Sequence, residues 1–184
     1  TTGTLFAWGN GTSGGLGTGN ETSVSTPTAV GALSTWASVA AGLRFSLGIT
    51  TGGALFAWGR NIYGQLGLGN TTSISSPVQV GALTTWSKVA CGNYFSISVT
   101  TSGTIFTWGR NSNGQLGLGD ITDRSSPVQV GALTTWASIH AGGAFMAGVT
   151  TGGTLFTWGL NTYGQLGLLD TTARSSPVQV GALT

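Results

Sequence analysis

Few side chains in this sequence could carry chemistry. It has one histidine, His140, and one cysteine, Cys91, while Asp120 and Asp123 share one segment and Asp170 stands at the position equivalent to Asp120 in the next repeat. Nucleophilic catalysis needs a nucleophile, a base and an orienting group held together, and a metal site needs several clustered ligands. A lone histidine and carboxylates without a D-x-D-x-D-G pattern meet neither need. We therefore expect no catalytic residue, metal or cofactor, with His140 a packed structural histidine and Cys91 a buried, inert thiol.

The spacing of a nucleotide-binding loop occurs in GNGTSG at residues 9–14, after the strand-like segment TLFAW. A dinucleotide site also requires a helix after the glycines and an acidic residue about 20 positions later. No helical pattern follows, and the next copy of the segment has Asn61 in place of Gly11. The sequence therefore predicts no nucleotide site here.

The composition argues against further classes of function. Charged residues make up 5% of the chain and the formal net charge is +2, without any Lys/Arg cluster, so the sequence predicts no nucleic-acid partner. No apolar run approaches the roughly 20 residues of a membrane helix. The 40% of hydrophobic residues indicates a packed core and not disorder, with a surface kept soluble by Thr, Ser, Asn and Gln.

These sparse groups sit in a sequence that repeats itself. Trp8, Trp58, Trp108 and Trp158 each precede a glycine at one fixed spacing, and residues 101–134 and 151–184 differ at only eight positions. Within the copy that starts at residue 85, the segments WSKVACG, FSISVT, TIFTWG and PVQVGAL each have the length and alternation of a strand. No segment has a helical period. Four short strands in a repeat of this length are typical of a β-propeller blade, so we expect an all-β chain of four-stranded antiparallel blades.

Longer motifs identify the repeat. The string WGRNxxGQLGLGD at residues 108–120, the SSPVQV that follows it, and VACGxxFSISVTTSGTIFTWG at residues 89–109 together resemble the regulator-of-chromosome-condensation repeat. The resemblance covers essentially the whole chain. Members of that family are seven-bladed β-propellers, so the resemblance implies the same architecture here.

In that architecture the chain divides into unequal parts. Residues 35–84, 85–134 and 135–184 are expected to be three complete blades, and residues 1–34 the last two strands of another blade. About three and a half blades cannot close a seven-bladed ring. We therefore expect either further repeats or self-association with another copy, because open blade edges are avoided in soluble proteins.

The known activities of the family transfer poorly to these residues. The Gly-Trp-Arg-His-Thr motif of its plant ultraviolet-B photoreceptor aligns with residues 42–46, 92–96 and 142–146, none of which contains tryptophan. The founding exchange factor of the family acts through charged loops that differ from blade to blade, whereas the loops here are nearly identical. Photoreception and guanine-nucleotide exchange are therefore not the favoured readings.

Variation between the repeats suggests where a partner would bind. The positions that differ fall mainly in the long connection between the third and fourth strands, which is expected to form one exposed rim. The candidate binding residues on this rim are Arg60, Tyr63, Arg110, Asn113, Asp123, Arg124, Tyr163 and Arg174.

Three functions fit a propeller of nearly identical blades. Repeated surfaces favour a non-enzymatic scaffold that binds a protein partner or the surface of a cell or particle, in an extracellular or virion-associated setting. A glycan-binding propeller is the alternative, since Tyr63, Tyr94 and Tyr163 could stack on sugar rings. A guanine-nucleotide exchange factor or chromatin-associated regulator is the third possibility.

Overall fold

The computed structural model describes residues 3–181, which fold almost entirely into β-strands. The first two strands, which we call the half-blade, are β1 (Phe6–Gly9) and β2 (Val24–Ala29). Blade 1 contains β3 (Trp36–Ala41), β4 (Phe45–Thr50), β5 (Leu55–Gly59) and β6 (Ile74–Gln79). Blade 2 contains β7 (Trp86–Cys91), β8 (Phe95–Thr100), β9 (Ile105–Gly109) and β10 (Arg124–Gln129). Blade 3 contains β11 (Trp136–Ala141), β12 (Phe145–Thr150), β13 (Leu155–Gly159) and β14 (Arg174–Gln179).

The sheet topology confirms the predicted blades. Three antiparallel sheets each have four strands in chain order, and the half-blade is a two-stranded antiparallel sheet. The helical structure in residues 3–181 amounts to one 3-10 turn at Thr12–Gly14. No helix in this part of the chain is long and apolar enough to cross a membrane. The number of blades in a complete ring stays a prediction.

The fourth strand of each blade is displaced from its predicted position. In blade 2 it runs over Arg124–Gln129, whereas the pattern PVQVGAL predicted it from residue 127 onward. Pairing of Arg124 with Gly109, followed by a bulge, brings the SSP segment into the sheet. This is the outermost strand, and Pro127 is tolerated there because an edge strand leaves some of its N–H groups unpaired.

The core lies between the blades rather than inside any one of them. Phe45, Leu47 and Leu55 of blade 1 are buried against Trp86 and Trp108 of blade 2. The same arrangement recurs between blades 2 and 3. Each buried face is formed by alternate residues of the strands, as the alternation of apolar and polar residues in the sequence predicts. Because these apolar faces are buried only against a neighbouring blade, the blades stabilise one another by stacking.

Hydrogen bonds reinforce the stacking at each interface between consecutive blades, which we call a seam. The Trp108 indole Nε1 donates to the Gln65 carbonyl oxygen at 2.9 Å, and the Gly69 N–H donates to the Ser125 carbonyl at 2.8 Å. The long loop of blade 1 therefore lies across the third and fourth strands of blade 2. The loop of blade 2 contacts blade 3 in the same way, with a 3.0 Å bond from Trp158 Nε1 to the Gln115 carbonyl.

The inner strands place His140 differently from expectation. Strands β3, β7 and β11 are neighbours, and backbone N–H groups of Leu43 and Asn93 bond to the next blade at Asn93 and Gly143. His140 of β11 is exposed, so the prediction of a packed structural histidine was wrong. The equivalent residues of blades 1 and 2, Ala40 and Ala90, are only partly buried. The alternation of apolar and polar residues in the sequence did not show that this face of the strand is open to solvent.

Candidate partner-binding surface

A buried asparagine shapes each long loop that carries the candidate residues. In blade 2 the Asn111 Oδ1 accepts the Leu116 N–H at 2.9 Å, and its Nδ2 donates to the Asp120 carbonyl at 3.0 Å. Asn61 and Asn161 bond in the same way in the loops of blades 1 and 3. A fully buried amide with both ends bonded fixes the loop backbone, so the side chains above it are presented from a rigid base.

Two of the candidate arginines form ion pairs with aspartates of their own loop. Arg124 Nη2 lies 2.6 Å from Asp120 Oδ2, and Arg174 Nη2 lies 2.5 Å from Asp170 Oδ2. The hydrogen bond from the Thr122 N–H, followed by the Arg124 guanidinium, lowers the pKa of the Asp120 carboxyl. The pKa of Asp170 is lowered by equivalent groups. These four side chains thus stabilise their loops and have little charge left for a partner.

Asp123 also has an internal role. Its Oδ1 accepts the backbone N–H of Asn111 at 2.7 Å. The hydroxyl of Ser73 does the same for Asn61 in blade 1. In blades 1 and 2 the side chain at this repeat position therefore closes the loop at its base, whereas blade 3 has Ala173 there.

Three further candidates, Arg60, Tyr63 and Arg110, come together with Tyr94 in one group, which we call the rim cluster. The Arg110 guanidinium carbon lies 5.1 Å from the centroid of the Tyr63 ring and 5.8 Å from that of Tyr94. The Arg60 guanidinium carbon lies 5.5 Å from the Tyr94 centroid. The two tyrosine rings meet edge to face at 5.3 Å. All four residues are partly exposed, and they span the seam between blades 1 and 2.

The corresponding positions at the seam between blades 2 and 3 do not form a second cluster. Asn113, Ala144 and Leu160 replace the tyrosines and the arginine there, and the Asn113 N–H bonds to the Gln115 side chain at 2.8 Å. Tyr163 is 90% exposed and stacks on no other aromatic ring of residues 3–181. The eight candidate residues therefore do not form one continuous site.

The sequence analysis missed two residues of this surface. Tyr94 was grouped only with tyrosines that could bind a sugar, although it is the centre of the rim cluster. Arg44 was not a candidate, yet it occupies the same repeat position as Tyr94, is exposed, and accepts the Arg60 N–H at its carbonyl at 2.8 Å. The detectable signal was variation at this repeat position, where Arg44, Tyr94 and Ala144 stand in the three copies.

Nothing in the described part of the chain forms a metal centre. Residues 3–181 contain no group of three or more His, Cys, Asp or Glu side chains close enough to hold an ion. Cys91 is partly buried, and desolvation of its thiol raises its pKa, which disfavours the reactive thiolate.

Models of known protein families match the repeats of this chain. The model of the regulator of chromosome condensation (RCC1) repeat matches residues 2–49, 52–99, 102–149 and 152–184. The chain belongs to the RCC1 repeat family. A second model of the same repeat matches residues 36–65, 86–115 and 136–165. No match was found among curated protein sequences.

Solved RCC1-type propellers share the fold of this RCC1-repeat chain. Human WBSCR16 is similar with a TM-score of 0.88 and 25% identity, over 98% of this chain and 49% of that one. Yeast RCC1 (Prp20), solved bound to Kap60, is similar with a TM-score of 0.85 and 21% identity, over 97% of this chain and 45% of that one. A structure of Prp20p from Saccharomyces cerevisiae, reported with its binding to Gsp1p and histones, gives a TM-score of 0.85 and 20% identity, over 97% of this chain and 46% of that one. This chain therefore spans about half the length of these structures.

Proposed function

We propose that this RCC1-repeat chain is a non-enzymatic scaffold that binds a protein partner through the rim cluster. The observation that carries the proposal is that Arg60, Tyr63, Tyr94 and Arg110 are partly exposed and ordered by one another across a seam. Tyrosine and arginine are the residues most often found where a protein interface concentrates its binding energy. A rigid base under the cluster lowers the entropy lost on binding.

The test begins with identifying a partner and then asks where it binds. The immobilised 184-residue chain is used to capture proteins from its source, each captured protein is purified, and its affinity is measured by calorimetry. Tyr94→Ala and Arg110→Ala should each weaken binding by about fivefold or more, as expected for the loss of an interface anchor. The matched control is Arg174→Ala, which removes an arginine that is already paired with Asp170 and should leave the affinity unchanged. A partner that binds both rim variants as tightly as the wild type would refute the proposal.

Exchange or chromatin binding is a second candidate because of the fold shared with Prp20p, whose structure was reported with its binding to Gsp1p and histones. A shared fold does not transfer an activity. The test is release of a fluorescent guanine nucleotide from purified Gsp1p, with a parallel measurement of histone binding. If this chain accelerates nucleotide release, its function would be that of an exchange factor and not that of a scaffold.

The glycan alternative is weakened by the geometry of the rim cluster. Sugar rings stack on the open faces of aromatic side chains, but guanidinium groups already lie over Tyr63 and Tyr94. Tyr163 is the tyrosine whose ring is free in the described residues. Binding on a glycan array that is lost in Tyr163→Ala would support the lectin reading.

A further inference from the structure

The arginines of this chain fall into two classes. Arg124 and Arg174 pair with aspartates four residues earlier. Within residues 3–181, Arg60 and Arg110 form no ion pair and their guanidinium groups donate no hydrogen bond to the chain. Two guanidinium groups of the rim cluster therefore keep all their N–H donors available, in a protein with very few charges.

Within residues 3–181 no carboxylate forms an ion pair with the rim cluster. Asp120 is the nearest acidic residue along the chain to Arg110, and the Asp123 carboxylate accepts the Asn111 N–H. Asp120 is paired with Arg124. Arg44 is a further exposed arginine, at the repeat position of Tyr94, and its backbone carbonyl accepts the Arg60 N–H. The rim of blades 1 and 2 therefore carries three arginines that form no ion pair within residues 3–181.

The tyrosines hold the guanidinium groups in place without using their donors. Both Arg60 and Arg110 lie over the Tyr94 ring, and the attraction between cation and ring restricts side chains that would otherwise be mobile. A planar guanidinium matches a carboxylate with two parallel N–H···O bonds. The two guanidinium carbons lie 5.5 Å and 5.8 Å from the Tyr94 centroid, so they are at most about 11 Å apart and a single short segment can reach both.

We propose that the rim cluster binds an acidic protein segment in extended conformation, with two carboxylates separated by one residue. Alternate side chains of a strand point to the same side and lie about 7 Å apart, which suits two guanidinium groups over a common ring. The inference rests on the proposed function and names the chemistry of the partner. A nucleic acid fits less well, since three arginines would release few counterions from a phosphate backbone.

The experiment uses a fluorescent peptide in which glutamate alternates with threonine, and a second peptide in which glutamine replaces every glutamate. Binding to the 184-residue chain is measured by fluorescence anisotropy at low and at high salt. The glutamate peptide should bind, and raising the ionic strength should weaken its binding as charges are screened. Arg60→Ala combined with Arg110→Ala should reduce its affinity by about tenfold, the change expected for losing two exposed charge-assisted contacts. The control Arg174→Ala should bind the peptide like the wild type.

The other outcomes separate the two proposals. Equal binding of the glutamine peptide, or tighter binding of a single-stranded oligonucleotide of the same length, would overturn the acidic-segment inference. So would unchanged binding in the Arg60/Arg110 double variant, whose fold is checked by circular dichroism. If the glutamate peptide does not bind but Tyr94→Ala still weakens the binding of a purified partner, the acidic-segment inference is refuted and the proposed function stands. If no partner responds to either rim substitution, the proposed function falls.

Discussion

At the scale of single residues, Leu169 is the clearest conflict between sequence and backbone. It has a φ of 63°, in the left-handed region, where the equivalent positions of the other loops are Gly19, Gly69 and Gly119. A side chain in this region strains the backbone, whereas glycine does not. Leu169 is also fully exposed, so its side chain gains nothing from burial that would offset the strain.

We expect Leu169→Gly to stabilise the chain. Relief of the left-handed strain exceeds the extra flexibility of glycine in the unfolded state, leaving a gain of about 0.5–1 kcal/mol in the free energy of unfolding. Chemical denaturation followed by circular dichroism measures the change. The matched variant Gly119→Leu should destabilise the chain by a similar amount. A lower denaturation midpoint for Leu169→Gly would show that the backbone is not strained there.

At the scale of elements, the seam between the half-blade and blade 1 lacks a hydrogen bond that the other two seams have. Trp108 and Trp158 donate their indole N–H groups to Gln65 and Gln115 carbonyls. Trp58 has no acceptor for its buried Nε1 among the described residues. The loop that covers it has Gly15 at the position of Gln65 and Gly11 at the position of Asn61, so it lacks the asparagine that fixes the other loops.

This difference predicts unequal effects of the same substitution. Trp108→Phe and Trp58→Phe remove similar volume from similar surroundings, but only Trp108→Phe removes a bonded donor. We expect Trp108→Phe to lower the free energy of unfolding by about 1 kcal/mol more than Trp58→Phe does. The comparison uses denaturation midpoints of the two variants measured side by side. Equal losses would mean that the indole bond contributes no net stability to the seam.

The elements were largely predictable and the rim cluster was not. Alternation in segments such as FSISVT and the fixed position of Trp108 depend on local residues, so strand number and order followed from the sequence. The rim cluster joins Tyr63 of one blade to Tyr94 of the next, and that contact depends on how consecutive blades are staggered. Spacing could have revealed the ion pair between Arg124 and Asp120, which lie four residues apart. It gave no sign that Arg60 and Arg110 form no ion pair within the described residues.

At the scale of the whole molecule, stacking explains both the stability of the blades and the exposure of two apolar faces. Trp58, Trp108 and Trp158 are buried by the loop of the preceding blade, whereas Trp8 is 60% exposed. Beside Trp8 and Arg44 lies an open groove of about 410 Å³. The loop of blade 3, with Tyr163 and Leu169, is exposed where the equivalent loops of blades 1 and 2 cover a neighbour.

We therefore expect a polypeptide of these 184 residues to associate head to tail, with the blade 3 loop of one copy over Trp8 of another. Light scattering should give a mean mass that rises with concentration above 18.5 kDa, because such an interface repeats a seam already present three times in the chain. Trp8→Glu should lower the mass by placing a charge in that interface. Ile121→Glu, which alters an exposed apolar residue of blade 2, is the control and should have no effect. A monomer at all concentrations would exclude this association.

The regularity of the seams also bears on how such a sequence can change. Removing residues 64–113, for example, would join Tyr63 to Gly114 and rebuild the loop with the same partners, since Gly64 faces Ser125 just as Gly114 faces Ser175. Recombination between misaligned copies therefore adds or deletes whole blades without creating a foreign junction. Such an array can change in length in a single genetic step.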